Sequence, residues 1–424
     1  LPAVPQGAQD LGPYGGGQPV AAPTGWFRLE EVAGRWWLVD PEGRAFLSIG
    51  VNNVSFRPDH ARDGGGVPYH ETVNALYRSP TDWANTALAR LRRWGFNTLG
   101  ARSSPITRDR QMAYTVLLDL ASQGPRSPDQ PFPDVFDRDW QRAVQRHARQ
   151  TCRRLAGDPW LIGYFTDDQL WWGDPPGEGQ TLLHAFLALP DHAPGRRALL
   201  AFLHGRYDTL EALNEAWRTG YERFEDIGRL AQVGARIPER DHEDFQRLVA
   251  DQYLRIGAAA VRAADPNHLV LGCRLATPPP PPVLAALAEH VDLVSLNHYE
   301  LRPDDALIRE VHRVTGLPIL ITEFSVRAAD SGLPNTLGPG PLVENQERRA
   351  ELVAGYVREL ISLPSVVGYH WFQYVDQPAE GRLDGQDGNY GLVTIRDEPY
   401  HPLVEAFSRV NREAYAWAAH ERPR

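Results

Sequence analysis

Lysine is absent from this chain: all 44 basic residues are Arg, and methionine occurs once, at Met112. Such a bias accompanies a GC-rich genome or a hot habitat, and composition does not separate the two. Cysteine is almost missing. Cys152 and Cys273 are too few for a disulfide framework and have no metal-ligand spacing, so two buried free thiols are expected. No uninterrupted apolar run approaches the ~18 residues of a membrane span, so no membrane partner is expected. Positive charge is in deficit, with a formal net charge of -10, which argues against nucleic acid as a partner. No Gly-rich phosphate loop follows the first strand-like run, so a doubly wound dinucleotide fold lacks its fingerprint. The numbering opens on Leu1 rather than Met, read here as the trace of a removed segment. An exported bacterial protein, secreted or periplasmic, is the expectation, with a cytoplasmic one as the alternative.

What is present suits a large soluble core: 424 residues, 42% hydrophobic and 23% charged. Residues 1–25 are rich in Gly, Pro and Ala and read as an extended arm; 26–424 read as one unit. Trp26 to Val32 and Arg35 to Asp40 form a hairpin that plugs a barrel floor, and Ala45 to Val51 reads as the first barrel strand. Further apolar runs follow at Phe96–Ala101, Ala113–Leu120, Leu161–Phe165, Leu269–Cys273, Val291–Leu296, Pro318–Phe324 and Val366–His370. Helical periodicity separates most of them, for example over Thr81–Trp94, with Thr81 as cap, and Glu243–Ala264. The α/β class is therefore a (β/α)8 barrel, with a helical insertion over the mouth from about 173 to 241.

The strand exits of such a barrel share one pocket. They carry Asn52, Arg102, Asp167, Asp168, Gln169, Asn297, His298, Tyr299, Glu323 and Trp371, with Trp171 and Trp172 just beyond the fourth strand. Carboxylates, amides and rings, without a metal triad or phosphate loop, suit a sugar: rings stack on pyranose faces and polar groups take the hydroxyls. No cofactor or metal is expected. Each residue also has a plainer reading. Glu323 merely ends a strand, Asn52 makes a turn, Arg102 is a surface cation, and His298, Tyr299 and the tryptophans are packing.

The segment Leu161-Ile-Gly-Tyr-Phe-Thr-Asp-Asp-Gln-Leu170 resembles the fourth-strand motif of clan A glycoside hydrolases, usually Gly-Tyr-Phe-x-Asp-Asn-Glu, and Ile319 to Phe324 resembles their nucleophile strand. Gly368 to Gln377, continuing through Gly381-Arg and Asp384 to Gly391, is similar to the β-agarase and β-galactosidase-like branch, as is Arg35 to Val54. The resemblance implies a retaining β-glycoside hydrolase acting on a β-linked oligo- or polysaccharide through two carboxyl groups. Glu323 matches the nucleophile. Gln169 stands where the family carries its acid/base Glu, and Asp168 where it carries an Asn that binds the sugar 2-hydroxyl. His298 or Tyr299 matches the group holding the nucleophile, Arg102 a cation beside it, and Trp371 the platform under the reacting sugar. Three readings of Gln169 stay open: an engineered Glu→Gln change that disables protonation, a natural enzyme using Asp167 or Asp168 as acid, or a sugar-binding pseudoenzyme. A transglycosylase differs only in what accepts the intermediate. The sugar, endo or exo action and the oligomeric state stay open.

Overall fold

Strand runs apolar on both faces need cover on both faces, and this chain provides it by closing a sheet on itself inside a ring of helices. The computed structural model describes residues 11–62, 64–108, 110–125, 130–229 and 236–420. Residues 1–10 of the expected arm and 230–235 of the expected insertion lie outside them.

Three short strands, β1 (Arg28–Val32), β2 (Arg35–Val39) and β3 (Ala45–Phe46), pair antiparallel. The run Ala45 to Val51 is thus divided. Its start completes this sheet, and only β4 (Ser48–Val51) joins the barrel. The barrel continues with β5 (Thr98–Leu99), β6 (Ala113–Leu117), β7 (Leu161–Asp168), β8 (Leu269–Ala276), β9 (Val294–Asn297) and β10 (Ile319–Phe324). A two-stranded ribbon, β11 (Arg327–Ala328) with β12 (Leu342–Val343), precedes the last barrel strand, β13 (Val366–Trp371). Pairing is parallel throughout, and the order β10-β13-β4-β5-β6-β7-β8-β9 closes. The fold is a (β/α)8 barrel.

The helices are α1 (Pro68–Leu76) and α2 (Pro80–Arg93) after β4, α3 (Arg138–Leu155) after β6, and α4 (Leu182–Leu187), α5 (Pro194–Arg206), α6 (Leu210–Trp217) and α7 (Glu239–Ala264) after β7. Then come α8 (Pro281–His290), α9 (Asp305–Thr315), α10 (Gln346–Ser362) and α11 (His401–His420). Between β5 and β6 a single 3-10 turn, Pro105–Thr107, stands where a helix would be. Ser79, not Thr81, caps α2: its hydroxyl accepts from the Asp82 amide at 3.1 Å, and Pro80 is preset for the first helical position. Among the described residues no helix is long and apolar enough to cross a membrane.

The barrel lumen is apolar at its base. Ala113, Ile162, Phe165, Leu271, Leu293, Leu320 and Val367 point inward and pack with Phe27, Leu38 and Phe46 of the N-terminal sheet, which closes the floor. Alternate residues of the same strands, such as Tyr164, Ile321 and Tyr369, join the larger core between strands and helices. Gly17, Gln18 and Val20 of the arm bond to Ala45 and Gly43, so the described arm lies against this floor. The helices of the insertion stack beside α7, where Phe186 and Phe202 meet Phe245, and none of its described residues lines the cavity at the strand exits.

Candidate active site

Two interruptions in strand register shape the mouth. The pairing of β10 with β9 skips between Ile321 and Glu323, and that of β7 with β8 skips between Phe165 and Asp168. Such irregularities re-aim the side chains that follow them. Asp168 and Glu323 both turn into one cavity of about 600 Å³, lined mainly by polar groups, which also takes in Gln169, Tyr299, Arg102 and Asn53.

Glu323 is 6% exposed. The Tyr299 hydroxyl donates to its Oε2 at 2.6 Å, and Arg274 Nη2 donates to its Oε1 at 2.7 Å. Burial raises its pKa above the usual carboxylate range; the Arg274 charge opposes this, the Asp168 charge adds to it, and the Tyr299 bond opposes it. Asp168 accepts from Arg274 Nη1 at 3.0 Å and from Asn297 Nδ2 at 3.2 Å. Gln169 adopts a left-handed backbone (φ 48°), its amide N–H donates to the Arg274 carbonyl, and its side chain is exposed in the cavity.

Arg274 is the group that sequence reasoning missed. The fifth apolar run reads as Leu269–Cys273, whereas β8 continues to Ala276 and pairs Arg274 with Asp168 across the sheet. A lone Arg extending an apolar strand was the available signal, since a buried charge needs a partner. Burial works against its charge, yet Glu323 and Asp168 outweigh burial and raise its pKa. The opposite wall was also missed. Phe372, Asp59 and Arg382 line it, Gln373 Nε2 bonds Asp59 Oδ2 at 3.1 Å, and an Ala61–Arg382 bridge joins the loops after β4 and β13.

Several expected placements are corrected. Trp371 is no platform: strand alternation turns it outward, fully buried between Phe324 and Phe407, and Phe372 lines the cavity instead. His298 turns outward by the same rule, with its Nδ1 2.8 Å from the Tyr356 hydroxyl, so Tyr299 alone of the pair meets Glu323. Asp167 also faces out, toward the Tyr253 hydroxyl and the Ala121 amide, and burial pushes its pKa up to about 7. Arg102, turned by a left-handed backbone (φ 61°), stands 3.7 Å from Asp168 and 3.6 Å from Asp119, and it is Arg274 that bonds Glu323. Asn52 lies buried below the mouth and donates to the Thr322 carbonyl at 2.8 Å, leaving Asn53 at the cavity. Asn297 supports Asp168 from below. Trp172 packs on Phe132 and Tyr253 in the core, and half-buried Trp171 bonds Asp174 at 3.2 Å; neither lines the cavity.

Known proteins bear on this geometry. A family model described as β-galactosidase, of glycoside hydrolase family 42, matches residues 135–319 and stops short of Glu323. β-Agarase B and β-agarase A of Vibrio sp. (strain JT0107) are each 26% identical over 92% and 93% of this chain, which spans 48% and 46% of those proteins. The chain thus covers about half the length of these curated relatives. Among solved structures, an exo-β-agarase superposes with a TM-score of 0.86 at 23% identity, over 96% of this chain and 67% of that one. The agarase AgWH50C gives 0.85 at 25% identity, over 97% and 68%. Motifs, closed barrel and these likenesses agree: the chain is similar to the clan A (β/α)8 glycoside hydrolases, in their β-agarase and β-galactosidase-like branch.

Proposed function

We propose that this chain is the catalytic barrel of a retaining β-glycoside hydrolase for a β-linked galactan-type oligo- or polysaccharide, with its proton donor disabled. Residues 26–424 would act as one catalytic unit, with 1–25 as its arm. The observation that carries the reading is Glu323, a buried carboxylate at a barrel-strand exit, held by Tyr299 and Arg274 and facing a polar cavity shared with Gln169. In a double displacement, Glu323 attacks the anomeric carbon, the aglycone leaves from the opposite face, and water then releases the sugar. The names of the relatives favour a β-galactosidic bond and a polysaccharide substrate, and export, as expected from the sequence, suits such a substrate.

Gln169 occupies the place of the acid/base. An amide has no titratable proton for a leaving alkoxide, and losing that group slows glycosylation by about 10^2–10^4-fold. The neighbouring carboxylates do not replace it: Asp167 faces away from the cavity, and Asp168 is engaged by Arg274 and Asn297. Gln169 also favours a second reading, a carbohydrate-binding protein on a glycosidase fold. One experiment separates them. Gln169→Glu is expected to raise hydrolysis of unactivated agaro- or galacto-oligosaccharides by about 10^2–10^4-fold, with Glu323 labelled by a 2-deoxy-2-fluoro-glycoside. No gain on galactan, agarose, β-glucan or mannan oligosaccharides, together with no labelling, establishes the binding protein instead.

A further inference from the structure

We propose that Arg274 is a positioning residue shared between two carboxylates, Glu323 and Asp168, and that the charge at position 168 thereby sets how readily Glu323 ionises. The functional meaning rests on the reading of Glu323 as nucleophile; the electrostatic claim stands on geometry alone. Arg274 is 1% exposed and its guanidinium is divided: Nη1 donates to Asp168 at 3.0 Å, while Nη2 donates to Glu323 at 2.7 Å and to the Thr322 carbonyl at 2.9 Å. One buried cation thus faces two buried or part-buried anions.

The remaining groups around Glu323 do not redress that balance. Tyr299, beyond β9, gives one hydrogen bond, and Tyr390 of the loop after β13 adds a neutral hydroxyl nearby. His370 on β13 is held neutral, its pKa pulled to about 3 by burial and by Arg274. Arg102, half-exposed, stands 3.7 Å from Asp168 and is divided with Asp119 at 3.6 Å. An amide at 168 would remove the competing anion and leave the guanidinium to Glu323. A planar guanidinium reaches two carboxylates at once, which a Lys ammonium on a flexible stem does less well.

The test uses the full chain without sugar. The Glu323 carboxyl is titrated by its 13C shift in glutamate-labelled protein and assigned by its loss in Glu323→Gln. Asp168→Asn is expected to lower the Glu323 midpoint, and Arg274→Met to raise it by about 1–3 pH units, with Arg274→Lys in between. A merely structural Arg274 lowers thermal stability and leaves the Glu323 midpoint unmoved in Arg274→Met and Arg274→Lys, which overturns the proposal. If Arg274→Met fails to fold, Asp168→Asn, which keeps the shape and removes a charge, is titrated in the parent and in Arg274→Lys: no shift, or an equal shift in both, rejects the shared cation. Fluoro-glycoside labelling is scored separately. A shifted midpoint without labelling keeps the shared Arg274 and rejects the glycosidase.

Discussion

Tyr299 and His298 are adjacent, yet one grips the candidate nucleophile and the other is packed behind the sheet. The division follows from strand alternation continued past the end of β9: Asn297 inward, His298 outward, Tyr299 inward. A hydrogen bond to an ionised group contributes about 1.5–3 kcal/mol. Tyr299→Phe is therefore expected to slow fluoro-glycoside labelling of Glu323 by about 10- to 100-fold. It should also move the acid limb of that reaction to higher pH, because the ionised form loses a donor. An unchanged limb in a folded variant would show that the bond does not stabilise the carboxylate.

At the scale of elements, the insertion is held to α7 by polar contacts at both ends: Tyr207, Trp217 and Arg206 bond Asp241, and Thr181 meets His242. Thr181 caps α4, and its hydroxyl lies 2.9 Å from Nδ1 of His242 on α7, whose ring faces that of His184. Burial, and then the neighbouring His184, lowers the His242 pKa to about 4, against a weaker opposing pull from Asp241. The folded chain thus resists a proton that the unfolded chain accepts. Stability from this neutral His is present above its unfolded pKa of about 6.5 and is lost as pH falls toward 4. Protection of the α4 amides, taken relative to the intrinsic exchange rate at each pH, is expected to fall on moving from pH 7 to pH 5, and His242→Gln should flatten that dependence. Equal pH dependence in both proteins would place the acid sensitivity elsewhere.

For the whole molecule, Asp167 works in the opposite sense. Its folded pKa of about 7 exceeds that of an unfolded Asp, so the fold keeps a proton the unfolded chain has released. Stability contributed here declines as pH rises from about 4 to about 7, by an amount on the order of a few kcal/mol. Asp167→Asn is expected to remove that slope from urea-unfolding free energies measured across this range. If parent and variant keep the same slope, the carboxyl is ionised in the fold throughout, and its hydrogen bonds from Tyr253 and Ala121 outweigh burial.

Apolar runs at regular intervals, broken by amphipathic stretches, determine the closed barrel, because strands buried on both faces have few other ways to be covered. Glu323 and Gln169 were legible because short motifs end at strand exits, and exits of a parallel barrel converge. The direction of each side chain was not legible. Alternation turns Asp167, His298 and Trp371 away from the mouth, and register skips turn Asp168 and Glu323 into it; a one-residue slip exchanges the two outcomes, and nothing local announces it. Arg274 escaped notice because its partners lie on two other strands, 106 and 49 residues away. Position along the chain sets which element a residue ends, but only the closed sheet, by bringing those ends together, decides which charges meet.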